Sequence, residues 1–385
     1  MRDNPTARAM HSDVLIVGGG LAGTAAAYYL AREGAEVLVV ERFDLNTQAS
    51  GSNAGSLHAQ IAHEPFVSEG EGWARAYAPT IALLVESIAM WKALEHELGV
   101  DLEVSVGGGL LLADSEAQAS DIRRKMAIER DFGLAVEWLD RADLARLAPY
   151  ASAKMIGGAL CPTEGKANPL KATPAFAQAA AKHGARFLTR TTVTGLAAEG
   201  RGYRVETSAG PIAAGRVVNA AGAEAGRITA FLGIDLPIEG NPIQVNVTEP
   251  VEHFVPHLVY FAGEKLTLKQ AKNGSLLIGG GWPARWSERA ARPAVDLASL
   301  RSNLAIAAEV VPRVASARLL RVWPAIVNGT ADWRPILGEV PGHPGFFMNF
   351  FPWMGFTAGP ISALVTASLV LGRKPPVDIS GFSVS

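Results

Sequence analysis

A glycine-rich turn near the start of the chain has the residue types and spacing to bind a pyrophosphate. Gly18, Gly20 and Gly23 form the pattern Gly-x-Gly-x-x-Gly between an apolar run at 13–17 and an Ala- and Leu-rich stretch at 24–32. The first glycine permits a tight turn, the second lets a phosphate approach the backbone, and the third lets helix and strand pack closely. The helix N-terminus adds free N–H groups and a partial positive charge. The segment therefore predicts dinucleotide binding.

An acidic residue ends the second predicted strand, which covers residues 36–40. Glu41 lies 23 residues after Gly18, close to the spacing of about 20 expected for an acid that accepts from both ribose hydroxyls. A carboxylate at this place disfavours a 2′-phosphate. FAD or NAD is therefore favoured over NADP, although the neighbouring Arg42 keeps NADP open.

Length and composition bound the class of protein. The chain has 385 residues, 49% of them hydrophobic, and 35 Lys and Arg against 37 Asp and Glu give a net charge of −2. This length suggests two domains, and the near-neutral charge excludes a basic surface for nucleic acid. Forty glycines without a three-residue period, in so apolar a chain, exclude collagen and disorder.

The single cysteine and the N-terminus indicate the compartment. Cys161 has no partner for an internal disulfide, and no Cys/His cluster has zinc spacing, so no metal site is predicted. A buried core thiol is favoured for Cys161 over a nucleophile or a covalent flavin anchor. Residues 1–12 are polar and lack the apolar segment of a secretory signal. Both observations favour a reducing cytoplasm.

Two long segments have more than one interpretation. The run 121–131 mixes both signs of charge and predicts a solvated helix face rather than a docking patch for a partner. Residues 356–371 are apolar but short for a membrane span and contain Pro360, so a buried helix is expected. A further helix is predicted over 77–98. Strands are predicted at 243–247, 258–261, 265–269 and 275–278, with a turn at Asn273-Gly274.

Four further segments resemble those of one enzyme family. Residues 49–58, Ala-Ser-Gly-Ser-Asn-Ala-Gly-Ser-Leu-His, resemble the second FAD fingerprint of the D-amino-acid oxidase-like family, which includes glycine and sarcosine oxidases. Residues 216–223, 330–338 and 345–360 resemble its later flavin-binding segments, in the same order. Residues 51–58 and 278–283 also resemble the B subunits of opine oxidases or dehydrogenases. The likeness extends from about residue 13 to 371.

The resemblance implies a fold and its division. The expected class is α/β, with a Rossmann-type FAD-binding domain interleaved with a second α+β substrate domain on a mostly antiparallel sheet. The FAD-binding domain is expected at 1–80, 150–230 and 325–385. The substrate domain is expected at 81–149 and 231–324.

The resemblance also implies that FAD is the cofactor and is held without a covalent bond. Multi-subunit sarcosine oxidases attach FMN to a histidine, but the matching position here is Asn168, so covalent FMN is not expected. Non-covalent FMN at a subunit interface stays open. The predicted FAD-binding residues are Gly18, Gly20, Leu21, Ala22, Gly23, Glu41, Arg42, Ser50, Ser52, Asn53, Ala54, Gly55, Ser56, Leu57, Val193, Ala221, Gly222, Met354, Gly355, Phe356 and Thr357.

The implied activity is oxidation of a secondary amine that carries an α-carboxylate, such as an opine, sarcosine or proline. Hydride transfer from Cα to flavin N5 gives an imine that hydrolyses, and the cofactor supplies the difficult chemistry. The candidate catalytic residues are His58, Gln60, Lys269 and Trp282, with Trp353 as a second aromatic wall. All but Gln60 have a structural alternative: a satisfied loop histidine for His58, a solvated strand lysine for Lys269 and core aromatics for the two tryptophans.

One departure from the family concerns the substrate carboxylate. Amino-acid oxidases of this family grip it with an arginine whose matching position here is Val327, so the bidentate clamp is absent. This departure disfavours simple glycine or D-amino-acid oxidation, and it favours opines with a large guanidino tail or a carboxylate held by Lys269 or Arg285. Two rival functions stay open: oxidation of a 2-hydroxy acid with His58 as base, and a subunit whose FAD is structural or relays electrons. Other subunits of a hetero-oligomer are the expected protein partners.

Overall fold

The computed structural model describes residues 10–384 as two large β-sheets with helices packed against them. The strands, in chain order, are β1 (Met10–Val17), β2 (Val37–Val40), β3 (Ser56–Leu57), β4 (Gly109–Ala113), β5 (Glu137–Asp140), β6 (Gly157–Cys161), β7 (Gly165–Lys166), β8 (Arg186–Leu188), β9 (Val193–Glu199), β10 (Gly202–Thr207), β11 (Ile212–Asn219), β12 (Glu239–Pro250), β13 (Leu258–Phe261), β14 (Thr267–Gln270), β15 (Ser275–Gly279), β16 (Arg285–Ser287), β17 (Arg292–Ala294), β18 (Leu319–Gly329), β19 (Ile336–Glu339) and β20 (Phe346–Phe350). The helices are α1 (Leu21–Arg32), α2 (Ala49–Ser52), α3 (His63–Tyr77), α4 (Thr80–Leu98), α5 (Glu116–Asp131), α6 (Arg141–Leu147), α7 (Pro169–Lys182), α8 (Ala225–Ala230), α9 (Leu297–Val310) and α10 (Gly355–Val370), with 3-10 turns at Gly222–Glu224 and Pro312–Ser316.

The first sheet is built around β1, in which residues 14–17 are almost fully buried. Its strands lie in the order β19-β20-β11-β1-β2-β8, and all neighbours from β20 to β8 are parallel. Helices α1, α7 and α10 cover one face, while β9, β10 and α8 cover the other. Central parallel strands covered on both faces are continuous apolar runs, which explains the pattern at 13–17.

The second sheet has the strand order β18-β12-β15-β14-β13-β4-β6-β5. Every neighbouring pair is antiparallel except β13 with β4. Its side chains alternate between two cores, since Leu110 and Leu112 pack beneath α9 whereas Leu111 and Ala113 face the helices around the first sheet. The expected fold class, with a parallel and a mostly antiparallel sheet, is confirmed.

The chain passes between the two sheets four times. Strands β1–β2, β8–β11 and β19–β20 belong to the first sheet, whereas β4–β6, β12–β15 and β18 form the second. Two strands differ from the expected domain boundaries. β6 pairs with β4 and β5 in the second sheet, and β18 continues to Gly329 rather than ending at 324. The division itself stays a prediction, and its termini at residues 1–9 and 385 lie outside the described residues.

Local sequence patterns located most elements. The predicted strands at 243–247, 258–261 and 275–278 lie within β12, β13 and β15, and Gly274 forms a turn with φ of +91°. The strand predicted at 265–269 begins only at Thr267, and the helix predicted from residue 77 begins after Pro79, at Thr80. The prediction for residues 1–12 falls mostly outside the described part.

The charged run at 121–131 is only partly a solvated face, so that expectation is wrong for two of its residues. Lys125 and Glu129 have no exposed surface, while Arg123 and Arg124 on the same helix are exposed. Helix α10 over 355–370 is buried on nearly all sides, as expected for the apolar run. Within residues 10–384, none of the helices has both the length and the apolar content needed to cross a membrane.

Candidate active site

A cavity of about 1210 Å³ is lined by residues of both sheets. This volume exceeds the range of about 300–1,000 Å³ typical of small-molecule pockets. The cavity begins at the carboxyl ends of β1 and β2, where ligands bind in open parallel sheets. It continues over β12–β15, so it has room for a dinucleotide and a second molecule.

The glycine turn brings bare backbone to the cavity. Gly18 has a φ of +110°, and a Cβ on it would lie 2.4 Å from the Ala220 carbonyl oxygen. A Cβ on Gly23 would lie 1.9 Å from the Gly18 oxygen, which is why the first turn of α1 can pack against β1. Gly20 precedes α1 and has no side chain of its own to cap the helix. The helix N-terminus at the cavity is suited to an anion.

Glu41 is positioned by the same turn. Its carboxylate accepts hydrogen bonds from the backbone N–H of Gly19 at 2.7 Å and of Phe43 at 2.8 Å. The side chain lines the cavity beside the end of β2. Arg42 points to the other rim, where it forms an ion pair with Glu224 at 3.3 Å. The acid is therefore fixed at the position from which ribose hydroxyls are bound in this motif.

The second glycine-containing segment, residues 49–58, is folded by its own polar side chains. Asn53 donates to the Ser50 carbonyl at 2.6 Å and accepts from Gly55 N–H at 2.7 Å, so the chain turns sharply into β3. Ser50 Oγ accepts from Leu21 N–H at 2.9 Å, which ties this segment to the start of α1. The two predicted fingerprints therefore form one continuous wall.

The first turn of α10 closes the opposite end. Thr357 Oγ1 accepts from His58 N–H at 2.9 Å and donates to the Ser56 carbonyl. No side chain caps this 16-residue helix. Its first residues line the cavity, so its positive end faces the cavity. Asn349 also lines the cavity and is buried with neither amide atom partnered. Such a donor and acceptor fit a polar heterocycle.

A buried hydrogen-bond network starts from His58. His58 Nδ1 lies 2.7 Å from the Tyr260 hydroxyl, which donates to Glu164 Oε2 at 2.9 Å. Glu164 also accepts from the backbone N–H of Ala59 and from the backbone and side chain of Gln60. Because Tyr260 donates its one proton to Glu164, His58 must donate from Nδ1. This tautomer leaves an Nε2 lone pair.

The network continues to a fully buried ion pair. Lys125 Nζ donates to Gln60 Oε1 at 3.4 Å and lies 2.5 Å from Glu129 Oε1. Glu129 Oε1 also accepts from Ile61 N–H at 2.8 Å. Residues from the segment after β3, from α5, from β13 and from the turn before β7 thus meet behind one wall of the cavity. Sequence reasoning missed Tyr260, Glu164 and Lys125.

Two tryptophans form an aromatic wall. Trp333 and Trp353 stack with ring centroids 4.7 Å apart, and both line the cavity. Their φ angles are +62° and +56°, in the left-handed region that bulky residues rarely adopt. Such strain persists only where the surrounding structure imposes it, and it clusters at functional sites. Trp353 was a predicted wall, whereas Trp333 stands at an unassigned position of the 330–338 segment.

Comparison with known proteins decides the identity. The profile described as DAO, FAD dependent oxidoreductase, matches residues 13–369. The chain belongs to this family. Its cofactor is FAD, which fits the α1 N-terminus at the glycine turn, the Glu41 carboxylate and the unpartnered Asn349 amide.

The oxidoreductase resembles several characterised relatives along its whole length. It is 29% identical to a glycine oxidase of Geobacillus kaustophilus strain HTA426, over 97% of this chain and 96% of the relative. It is also 29% identical to the B subunit of an opine oxidase of Rhizobium meliloti, over 96% of each chain. The crystal structure of glycine oxidase from Geobacillus kaustophilus superimposes with a TM-score of 0.87 at 27% identity, covering 98% of this chain and 99% of the other.

Most predicted FAD-binding residues of the oxidoreductase lie on the cavity wall, although their contacts with FAD stay predictions. Gly23, Gly55 and Leu57 lie behind it: Gly23 is packed against Gly18, Gly55 against Ala167, and Leu57 is fully buried. The predicted residues on the wall are Gly18, Gly20, Leu21, Ala22, Glu41, Arg42, Ser50, Ser52, Asn53, Ala54, Ser56, Val193, Ala221, Gly222, Met354, Gly355, Phe356 and Thr357.

The candidate catalytic residues separate into two groups. His58 and Gln60 line the cavity, whereas Lys269 and Trp282 do not. Lys269 Nζ is buried and donates to Ser56 Oγ at 2.6 Å, and burial with the nearby Lys166 lowers its pKa to about 7. The Trp282 indole N–H donates to the Lys265 carbonyl at 2.7 Å. A direct carboxylate anchor at Lys269 and a pocket wall at Trp282 are therefore not supported.

Three further positions have clear structural surroundings. Val327 lines the cavity, so the place of the family arginine is apolar here, and Arg285 is exposed on β16 away from the lining. Asn168 caps α7 by accepting from Leu170 N–H at 3.0 Å. Cys161 is a buried free thiol whose pKa is raised by burial, as expected for a core residue.

Replacing Glu41 by Ala is expected to reduce FAD retention of the oxidoreductase at least tenfold, because the ribose hydroxyls lose their acceptor and the Gly19 N–H loses its partner. The ratio of flavin to protein absorbance after gel filtration measures this loss. Glu36→Ala, which changes an exposed acid at the opposite end of β2, is the control. Equal flavin content in wild type and Glu41→Ala would contradict the assignment.

The buried histidines make stability depend on pH. Burial lowers the pKa of His58 to about 3 and that of His63 to about 4, whereas in the unfolded chain both titrate near 6.5. Between those values only the unfolded chain binds the protons, so the free energy of unfolding falls as pH decreases below about 6.5. His63→Gln is expected to recover about 1–2 kcal/mol of the loss between pH 6.5 and 5. Urea denaturation at both pH values measures it, with the exposed His96→Gln as control.

Proposed function

We propose that the protein oxidises a secondary amine bearing an α-carboxylate, such as an opine, sarcosine or proline. The observation that carries this proposal is the uncharged His58, whose Nε2 lone pair is free to accept an N–H. Bound FAD supplies the chemistry by accepting a hydride from the carbon next to the substrate nitrogen. The resulting imine then hydrolyses to an amine and a carbonyl compound.

The residues of the cavity wall would orient the amine. His58 Nε2 would accept from the substrate N–H, while Tyr260 and Glu164 hold the imidazole in the required tautomer. Trp333 and Trp353 would pack against the apolar part of the substrate and exclude water. The uncapped N-terminus of α10 would stabilise negative charge that develops on the cofactor.

The same observation disfavours a 2-hydroxy acid as substrate. That reaction requires a base for the hydroxyl proton, and His58 was the candidate from sequence. A histidine whose pKa is lowered to about 3 is a weak base at neutral pH. A secondary amine reacts as its neutral form, after its ammonium has lost a proton to solvent, and the N–H that remains needs an acceptor of a hydrogen bond.

Anaerobic mixing of the FAD-loaded protein with single substrates tests the function. We expect bleaching of the flavin band by one of octopine, nopaline, sarcosine or L-proline, and none by 2-hydroxyglutarate. Reduction by the hydroxy acid alone would establish the rival activity. Reduction by none of these compounds would favour a subunit whose FAD serves structure or electron relay.

We further propose that the protein functions with other subunits in the cytoplasm. Two relatives from Rhizobium meliloti are named as subunits, the opine oxidase chain described above and, from strain 1021, the β subunit of a sarcosine oxidase, which is 28% identical. Leu319 and Leu320 are 40% and 61% exposed on β18, the edge strand of the second sheet. Co-expression with the other subunits followed by gel filtration, and acid extraction of the flavins, would report both assembly and any FMN.

A further inference from the structure

We propose that Lys265 binds the carboxylate of the substrate and that Glu64 occupies Lys265 until the substrate arrives. This inference rests on the proposed function, because it concerns a substrate that carries a carboxylate. Lys265 would supply the positive charge that is absent at Val327, the position of the family arginine.

The other basic side chains on the cavity wall lie at the predicted ADP end or are fully buried. Among the described residues, four lysines and arginines line the cavity. Arg42 and Arg227 both pair with Glu224, at 3.3 and 3.0 Å, beside the predicted ADP end. Lys125 is fully buried against Glu129. Lys265 is thus the one that combines a place over the second sheet with access from solvent.

The ion pair between Lys265 and Glu64 joins two separate elements at the rim of the cavity. Lys265 Nζ lies 3.0 Å from Glu64 Oε1, with 34% of the lysine side chain and 63% of the glutamate side chain exposed. Glu64 is in the first turn of α3, and Lys265 precedes β14. An exposed pair of this kind is weak, so an entering carboxylate can displace Glu64.

The backbone of Lys265 is held firmly although its side chain is accessible. The Trp282 indole donates to the Lys265 carbonyl at 2.7 Å. Gly280 has a φ of +123°, and a Cβ on it would lie 2.6 Å from the Leu266 nitrogen, so the glycine loop after β15 packs directly on this segment. Trp282 is therefore a positioning residue for Lys265, which gives that tryptophan a part in the site without lining it.

Exchange of one carboxylate for another keeps the ammonium partnered throughout. Glu64 returns to water when the substrate binds, and the half-buried Lys265 is never left alone. A lysine offers a point charge on a flexible stem rather than the planar fork of arginine. The site therefore accepts carboxylates over a range of orientations, as bulky N-substituted amino acids require.

Calorimetric titration of the FAD-loaded protein with benzoate and with benzamide, its neutral analogue, tests the anchor. We expect Lys265→Met to weaken benzoate binding about 10- to 100-fold, the effect of one charge-assisted hydrogen bond, and to leave benzamide binding unchanged. Lys265→Arg should retain most of the affinity. Glu64→Gln should strengthen benzoate binding, because the competing carboxylate is removed. Arg285→Met, an exposed cation away from the lining, is the control.

The outcomes separate this inference from the proposed function. Absence of benzoate binding by the wild type, or equal affinity in Lys265→Met, would overturn the anchor. Flavin reduction by an amine in that same preparation would leave the function standing. Conversely, lysine-dependent benzoate binding without reduction by any amine would retain the anchor and remove the function. Flavin content and melting temperature of each variant show whether the fold is intact.

Discussion

Replacing Lys125 by Met is expected to lower the free energy of unfolding by about 3–5 kcal/mol. Both side chains of its pair with Glu129 are fully buried, one turn apart on α5, with Nζ and Oε1 separated by 2.5 Å. The substitution leaves the Glu129 carboxylate without its counter-charge in a site whose burial already raises its pKa. Urea denaturation of the FAD-loaded protein, followed by circular dichroism, measures the effect.

A second substitution distinguishes an uncompensated charge from lost packing. Lys125→Met combined with Glu129→Gln should recover most of the stability, because glutamine removes the charge and still accepts from Ile61 N–H. Arg124→Met is the matched control on the same helix. Its side chain is 54% exposed and pairs with Asp121 and Glu71, so a change of no more than about 1 kcal/mol is expected. A double variant no more stable than Lys125→Met would refute the electrostatic cause.

Replacing Gly109 by Ala is expected to destabilise the protein by about 3 kcal/mol or more. The added Cβ would lie 1.7 Å from Glu164 Oε2 and 2.8 Å from its Cδ. That carboxylate accepts from two backbone N–H groups, from Gln60 and from Tyr260, so it cannot move without leaving buried donors unpartnered. Thermal unfolding measures the loss of stability.

Gly109→Ala is also expected to disturb the hydrogen bonds that position His58 at the cavity. Displacement of Glu164 removes the acceptor that fixes Tyr260, and His58 loses its defined tautomer. Flavin reduction by the substrate should therefore slow even in the fraction that stays folded. Gly72→Ala is the control, since nothing lies within 4 Å of its Cβ and it is exposed on α3. That variant should gain about 0.5–1 kcal/mol. Equal melting temperatures for both variants would contradict the packing argument.

The sequence located the cofactor end of the cavity better than the substrate end, for a physical reason. Gly18, Gly23 and Glu41 act through a strand, a turn and a helix that are adjacent in the chain, so their spacing carries the geometry. Glu164, Tyr260 and Lys125 come from three distant segments and meet only because β13 pairs with β4. No pattern of neighbouring residues in the sequence predicts that β13 pairs with β4.

Alternation along a strand indicates which face of the sheet a side chain lies on, but not whether that side chain reaches the cavity. Lys269 was a candidate anchor for the substrate carboxylate, and it does face away from the core that holds Leu268, but its Nζ donates to Ser56 Oγ and does not line the cavity. Lys265, four residues earlier, reaches the cavity because the strand begins only at Thr267. Boundaries of elements are the least reliable part of a sequence prediction. Here the later start of β14, at Thr267, goes with a cavity that is lined by Lys265 rather than by the expected Lys269.

The interleaving of the two sheets has a consequence for synthesis of the protein. β1 pairs with β2 on one edge and with β11 on the other, so Met10 must wait for Ile212, about 200 residues later, before that second edge is paired. At the usual elongation rate of about 5–20 residues per second this interval is roughly 10–40 s. The last strand, β20, ends at residue 350. One edge of the apolar strand β1 thus stays unpaired on the ribosome until β11 emerges, and the first sheet is complete only in the nearly finished chain.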